Sequence, residues 1–531
     1  MTTPLSTLTK DRIKDRIRGC LFGTAVGDAY GLATEFMSKA SARRRYGNGP
    51  IAFGNEAGYP VWIDSHRSKW ARNDFTDDTD QMLLLLQSLQ QTQDGRLHAA
   101  NFSKRLKEWS IIGFPELGTP PRGIGFTVGS TLSHPEFRYN PHKAAFDIWN
   151  SKGRMLAANG AVMRTSVLGI ESFWDEARVV ENTLAAAKVT HADPRSVVSA
   201  LIASVLISRL LRGGGQDAKE DSTRTWNPRL AQDEYKQELL DYLRRGTDIN
   251  GEVSSDPAYE PETAQNVFKN KDERKIARMR LTHPVPDAAP RVATRSFQTA
   301  VLDKLSHFIA GSPAAHRASD DWNKDRPTVE LRGDIGWAGM DKVGENEAMG
   351  SLARSVLRDY KFLLLRTDVV PPTIRNVALE GRNTAAGHAG ADATQTPERI
   401  QEKWSRELES SCFPSKLEEL ELGDADKMGY TFKCVGIAFY TATRCEDPAP
   451  TDDAYKGPSG LFRGTMEQVA LEAGDADTNG AVVGSLLGAR YGVSEGIPRS
   501  WWTELRHFEW LDGVVDQFAD RVIAMYEQQM Q

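Results

Sequence analysis

Glycine recurs every fourth residue in two distant stretches of this chain, at Gly19, Gly23, Gly27 and Gly31 and again at Gly480, Gly484, Gly488, Gly492 and Gly496. Each glycine inside a helix costs about 1 kcal/mol relative to alanine, so several in one helix need a compensating gain. Residues four apart form one ridge of a helix, and a ridge of glycines becomes a groove that admits another backbone. Interleaved apolar residues, Cys20, Leu21, Phe22, Ala25 and Val26 in one stretch and Val482, Val483, Leu486 and Leu487 in the other, argue for helices rather than loops. The spacing predicts two central helices packed at short range.

Two acidic clusters each lead into an apolar segment. Thr76-Asp77-Asp78-Thr79-Asp80 places three carboxylates and two hydroxyls directly before the apolar run from Met82, and Asp475-Ala476-Asp477-Thr478 leads into the second glycine series. Like charges packed this tightly suit a helix start, where backbone N–H groups favour anions, or the surroundings of a cation. The donors are all oxygen, which suits Mg²⁺, Mn²⁺ or Ca²⁺ rather than zinc, and four carboxylates would neutralise two divalent ions. Asp475-x-Asp477-x-Asn479-Gly480 imitates half of an EF-hand loop, but Leu486 stands where that loop needs a bidentate glutamate. Gly423-Asp424-Ala425-Asp426 imitates the second cluster, yet Lys427 replaces its hydroxyl residue and would oppose a cation.

Elsewhere the pattern is helical, and alternating strand patterns are scarce. Asp193-Pro194 is a helix start with proline at the first position, opening an apolar stretch to Leu211 that reads as a buried helix rather than a bilayer span. Glu234–Arg245, Leu352–Leu364 and Gly429–Tyr440 carry further helical periodicity. The middle, 250–410, is richer in Pro, Asp, Lys and Arg. It contains a basic run, Lys269 to Arg280, that reads as a solvated face or a phosphate contact, and a low-complexity stretch, Gly381 to Pro397, expected to be a mobile loop. The expected organisation is a core in two parts, 1–249 and 411–531, around an insertion at 250–410. A net charge of −6 gives no overall sign of nucleic-acid affinity. The four cysteines have no C-x-x-C spacing and the first ten residues lack the apolar core of a signal peptide. The expectation is reduced thiols, a cytoplasmic or nuclear location, no membrane and a monomer.

The chain resembles the ADP-ribosylglycohydrolase family, of the dinitrogenase reductase-activating type. The resemblance rests on Gly19-Cys20-Leu21-Phe22-Gly23, Gly27-Asp28-Ala29-Tyr30-Gly31, Glu35-Phe36, Thr76-Asp77-Asp78-Thr79, Asn159-Gly160-Ala161 with Met163-Arg164, Thr190-His191, Gly429-Tyr430, Gly474 to Thr478, and Ile497-Pro498 with Trp502, in that order. It spans 12 to about 245 and 415 to 515. It implies an all-α, compact, orthogonal multi-helix bundle, here with a large insertion, and two Mg²⁺ or Mn²⁺ ions at the base of an ADP-ribose cleft. Thr76, Asp77 and Asp78 would bind one ion and Asp475 and Thr478 the other, with Asp477 bridging. Glu35, Asp77 and Asp78 would be catalytic. Gly123, Gly125, Asn159, Gly160, Ala161, Met163, Arg164 and His191 would contact ADP-ribose, although Arg164 and His191 also fit structural places.

One position departs from the pattern. Relatives that release arginine-linked ADP-ribose can carry an aspartate where Arg122-Gly123-Ile124-Gly125 has Gly123. The resemblance therefore implies a metal-dependent hydrolase that cleaves the C1″ bond of ADP-ribose to an acceptor, O-linked such as serine before arginine or nucleic acid. The other readings are a module that binds ADP-ribose without turnover and a structural protein. The expected partners are ADP-ribose and ADP-ribosylated protein or nucleic acid.

Overall fold

The two glycine series lie against each other. The first helix, Lys10–Gly31, begins at the Thr9 cap, whose hydroxyl accepts from Arg12 N. It runs antiparallel to the helix Ala476–Gly496, and the pairing is in register. A Cβ built on Gly19 would lie 2.5 Å from the Gly488 carbonyl oxygen, on Gly23 2.1 Å from that of Gly484, on Gly27 1.9 Å from that of Gly480 and on Gly31 2.1 Å from that of Ala476. Backbone, not side chain, occupies the space, so even alanine at any of these four positions would force the helices apart. The close approach brings Cα–H groups against carbonyls along the seam, which offsets the entropy cost of the glycines.

The expected ladder ends one rung early. Gly492 has a non-helical backbone, φ 78 and ψ 174, and kinks the second helix. The cause is Asp15, whose carboxylate accepts from Ser494 N at 3.0 Å and occupies the space a Gly492 side chain would need. Gly496 faces Tyr491 of its own helix instead of the partner.

This is a computed structural model that describes residues 8–215, 226–244, 340, 343–365, 397–446 and 452–531. Among them the regular structure is helical, with only isolated β-bridges, so the fold is all-α. The basic run Lys269–Arg280 and residues 381–396 of the low-complexity stretch lie outside the described residues. Around the glycine pair pack the helices Pro194–Leu211, Thr431–Ala442, Gly457–Glu472 and Phe508–Met530. Asp193 caps Pro194–Leu211 by accepting from Arg195 N at 3.0 Å. That helix has the length and apolar composition to cross a membrane, and all of it is buried in the protein. The helix Glu347–Tyr360 packs on Pro194–Leu211, and Pro397–Cys412 packs on Thr431–Ala442.

Candidate metal centre

The helix Asp77–Leu89 starts where the first glycine helix ends. Thr76 is its cap and accepts from Asp78 N at 3.4 Å. The start is fixed from outside by Asp28, a buried residue of the glycine helix. Its carboxylate accepts from Thr76 N and Thr79 N, each at 3.0 Å, and from the Thr79 hydroxyl at 2.6 Å. Asp475 caps the second glycine helix. Because that helix is clamped antiparallel to the first, the two acidic clusters meet. The Thr76 hydroxyl lies 3.2 Å from Asp78 Oδ2 and 3.5 Å from Asp477 Oδ2, across 401 residues of sequence. The Thr478 hydroxyl reaches Asp78 and Asp475.

Two triads of carboxylates each have oxygens within 4.8 Å of one another: Asp28, Asp78 and Asp477, and Glu35, Asp475 and Asp477. Asp477 belongs to both. Burial first, and then the charge of neighbouring carboxylates, pushes Asp77, Asp78 and Asp477 well above the usual carboxylate range. Burial raises Asp475 and Asp28 to about 6 despite the hydrogen bonds they accept. Asp78 Oδ1 and Asp477 Oδ1 are buried without a hydrogen-bond partner. A buried oxygen left bare costs about 1–3 kcal/mol, and more when charged. Hard donors that repel one another and end in bare oxygens fit a divalent cation of the Mg²⁺ or Mn²⁺ type.

Asp77 sits to one side, in neither triad. Its Oδ2 accepts from Gln81 Nε2 at 2.8 Å, and its Oδ1 would be 2.3 Å from a side chain at Gly123. Gly123 has φ +78, so the backbone there also favours glycine. From Gln81 a chain of hydrogen bonds runs inward. Arg164 Nη1 donates to Gln81 Oε1 at 2.7 Å and Arg164 Nη2 to the Thr190 hydroxyl at 2.6 Å. The Thr190 oxygen lies 2.8 Å from His191 Nδ1. This contact occupies Nδ1 and leaves Nε2 as the ring nitrogen outside the chain of hydrogen bonds. That Nε2 is buried, lacks a partner and faces Gly160.

The remaining expected residues divide. Asn159 Nδ2 donates to Asp475 Oδ2 at 2.8 Å, and Asn159 N donates to the Gly429 carbonyl, so the Asn159–Ala161 turn is bound to the second cluster. Gly160 is half-buried, and Gly123 and Gly125 are exposed. Arg164, Ala161 and Met163 are buried, and the guanidinium of Arg164 is spent on Gln81, Thr190 and the Ala186 carbonyl. These three back the site from inside; of the ligand contacts the resemblance implied, they have no open face for one. Glu35 does reach the cluster, with His66 Nε2 2.6 Å from its Oε2. Sequence reading assigned no place to Asp28, Gln81 or His66. A carboxylate in the middle of an apolar glycine helix was a signal for Asp28; the irregular stretch around His66 offered none.

The ADP-ribosylglycohydrolase family matches residues 9–307 and 351–529, so the match reaches further into the middle of the chain than the short motifs do. Two curated relatives match in part. One is an uncharacterized protein of Archaeoglobus fulgidus, 29% identical over 189 residues, which are 36% of this chain and 53% of the relative. The other is the ADP-ribosyl-[dinitrogen reductase] glycohydrolase of Rhodospirillum rubrum, 28% identical over 206 residues, 38% of this chain and 60% of the relative. The chain thus spans between half and two thirds of the length of these relatives. A solved ADP-ribosylglycohydrolase-related protein complex aligns over 96% of this chain and 99% of its own at 16% identity and a TM-score of 0.40. With the match covering most of its length, the chain belongs to the ADP-ribosylglycohydrolase family.

Proposed function

We propose that the protein is a metal-dependent hydrolase that releases ADP-ribose from an O-linked acceptor such as a serine side chain. One observation carries this reading: in a member of this family, two acidic clusters far apart in sequence converge with Glu35 and leave buried oxygens bare. Asp78 and Asp28 with Asp477, and Glu35 and Asp475 with Asp477, would hold two divalent ions, and the place of Asp477 in both triads supports a bridging carboxylate. Thr76 and Thr478 supply hydroxyl oxygens at the same place. Asp77 would join through the oxygen that faces Gly123, its other oxygen being held by Gln81.

Bound there, such ions would polarise the distal ribose hydroxyls and acidify a water. The protein's own groups would do the rest. Water oxygen bonds to C1″ as the bond from C1″ to the acceptor oxygen breaks, through an oxocarbenium-like transition state. Glu35 would take the proton that the water loses and pass it to the departing acceptor oxygen, so that the acceptor leaves as its alcohol. The exposed backbone of Gly123 and Gly125 would meet the oxygens of ADP-ribose, with His191 buried behind Gly160. Preference for an O-linked acceptor rests on Gly123, which brings no carboxylate of its own to pair with a guanidinium, while the carboxylate that faces it, Asp77, is assigned to the ions.

The test is release of ADP-ribose from serine-, arginine- and nucleic-acid-linked substrates with Mg²⁺ and with Mn²⁺. Fastest release from the serine-linked substrate, abolished by chelator, is expected. Tight binding of ADP-ribose with no release from any of them would make the protein a reader of the modification. Faster release from the arginine-linked substrate would overturn the role given to Gly123.

A further inference from the structure

Glu35 is not left to find its own position. It follows the first glycine helix on an irregular segment, and its side chain is 7% exposed although it belongs to no helix. Two devices hold the segment. On one side Phe36 N donates to the Gly474 carbonyl at 2.6 Å and Gly474 N donates to the Met37 carbonyl at 2.9 Å, so the segment is stitched to the entry of the second cluster. The stitch holds Phe36 in a left-handed backbone, φ 59, that a non-glycine residue adopts only under constraint. On the other side lies the segment Asp64–Trp70. Its Asp64 carboxylate accepts from His66 N at 3.0 Å and Arg67 N at 2.8 Å. Arg67 in turn donates to the Ala33 carbonyl at 2.9 Å and to the Glu35 carbonyl.

His66 completes this clasp on the side chain itself. Its Nε2 lies 2.6 Å from Glu35 Oε2, within hydrogen-bond distance. The imidazole is set between two rings, with centroids 5.1 Å from Phe36 and 4.9 Å from Trp70, so its plane is fixed by packing. The same carboxylate has an oxygen within 4.8 Å of oxygens of Asp475 and Asp477.

We infer that His66 is a positioning residue: it holds one oxygen of Glu35 so that the carboxylate stays at the cluster. The inference rests on the proposed hydrolase reading for its kinetic consequence, and on geometry alone for its structural one. A hydrogen bond that fixes a reacting group contributes through orientation, so its loss falls on kcat rather than on substrate binding.

The experiment compares wild type with His66→Phe, which keeps a ring between Phe36 and Trp70 but has no donor, and His66→Gln, which keeps a donor but has no ring. Hydrogen–deuterium exchange of residues 33–37 is read beside kcat and KM on a serine-linked substrate. For His66→Phe we expect exchange of 33–37 at least threefold faster, kcat down about tenfold and KM within twofold, with a melting temperature near wild type. His66→Gln should recover most of both losses. Unchanged exchange in His66→Phe would overturn the clasp, whether or not the protein turns substrate over. Faster exchange with unchanged kcat in an active enzyme would overturn the positioning role. If wild type releases ADP-ribose from no substrate, the hydrolase reading fails and the exchange result still decides the clasp.

Discussion

Two buried groups of charge in this protein are built on opposite plans. Around Glu176, two acids meet two arginines. Arg209 donates to Glu176 from Nη2 at 2.7 Å and Nε at 3.1 Å, Arg212 donates to its second oxygen, the Tyr360 hydroxyl donates at 2.9 Å, and Arg209 also reaches Asp359 at 2.8 Å. Burial alone would raise the Glu176 carboxyl, but the two guanidiniums outweigh it and hold it down to about 2. Around Asp477 the same burial acts on carboxylates gathered with one another, and it lifts them. The nearest guanidinium in that hydrogen-bonded chain, Arg164, reaches Asp77 only through Gln81. The first group is complete and serves the fold. The second is complete only when positive charge arrives, which makes it a receptor.

That contrast can be broken by experiment. The largest effect should come from Arg209→Met, which leaves Glu176 and Asp359 short of charge in the interior. Removing one partner of a buried ion pair typically costs 3–5 kcal/mol, and urea denaturation at pH 7 should show a loss of that size. A loss below about 1 kcal/mol would mean that water reaches the Glu176 group.

Acid should separate the groups next. Glu176 has a folded pKa below its unfolded one, so its stabilisation is present above pH 4.5 and is lost as pH falls toward about 2, a share of about 3 kcal/mol. Asp475 has a raised folded pKa, so in metal-free protein its contribution is present below pH 3.8 and is lost as pH rises through about 6. Stability against pH in chelator should therefore fall at both ends. In Glu176→Gln the acid-side fall should shrink while the fall toward pH 6 stays.

A divalent ion should then abolish the second slope and leave the first. At a hundred times its dissociation constant, Mg²⁺ or Mn²⁺ should add about 2.7 kcal/mol of stability per site, measured as a rise in Tm. Asp477→Asn should lose that rise, and the milder Glu176→Gln should keep it. The smallest effect has the most telling sign. In chelator, Asp477→Asn removes one repelling charge and should stabilise the protein by about 1 kcal/mol, whereas the same kind of change in the Glu176 group destabilises it. A destabilised Asp477→Asn protein in chelator would mean that hydrogen bonds to its carboxylate, such as that from the Thr76 hydroxyl, outweigh the repulsion.

The sequence showed the receptor more readily than the neutral group. Asp77, Asp78, Asp475 and Asp477 are crowded in short runs, and crowded like charge is visible without a fold. The glycine series were visible for a similar reason, since a period of four maps onto one helix face. Their register and their end were not. The kink at Gly492 is set by Asp15, which no local pattern connects to it. Glu176 and Arg209 are ordinary helix residues until the fold puts them 2.7 Å apart. Arg164 illustrates the same blindness: its motif was readable, but burial turned it from the cleft to the bracing of Gln81 and Thr190.

The antiparallel glycine seam also orders events in time. Residues 10–31 are made well before residues 476–496. At roughly 5–20 residues per second, the roughly 450 residues between them take roughly 20 to 90 s to make. Throughout that wait the first helix has no backbone to fill its groove, and Asp77 and Asp78 lack Asp475 and Asp477. A chain interrupted before residue 476 would hold half of the acidic cluster and an open seam with its glycine face uncovered.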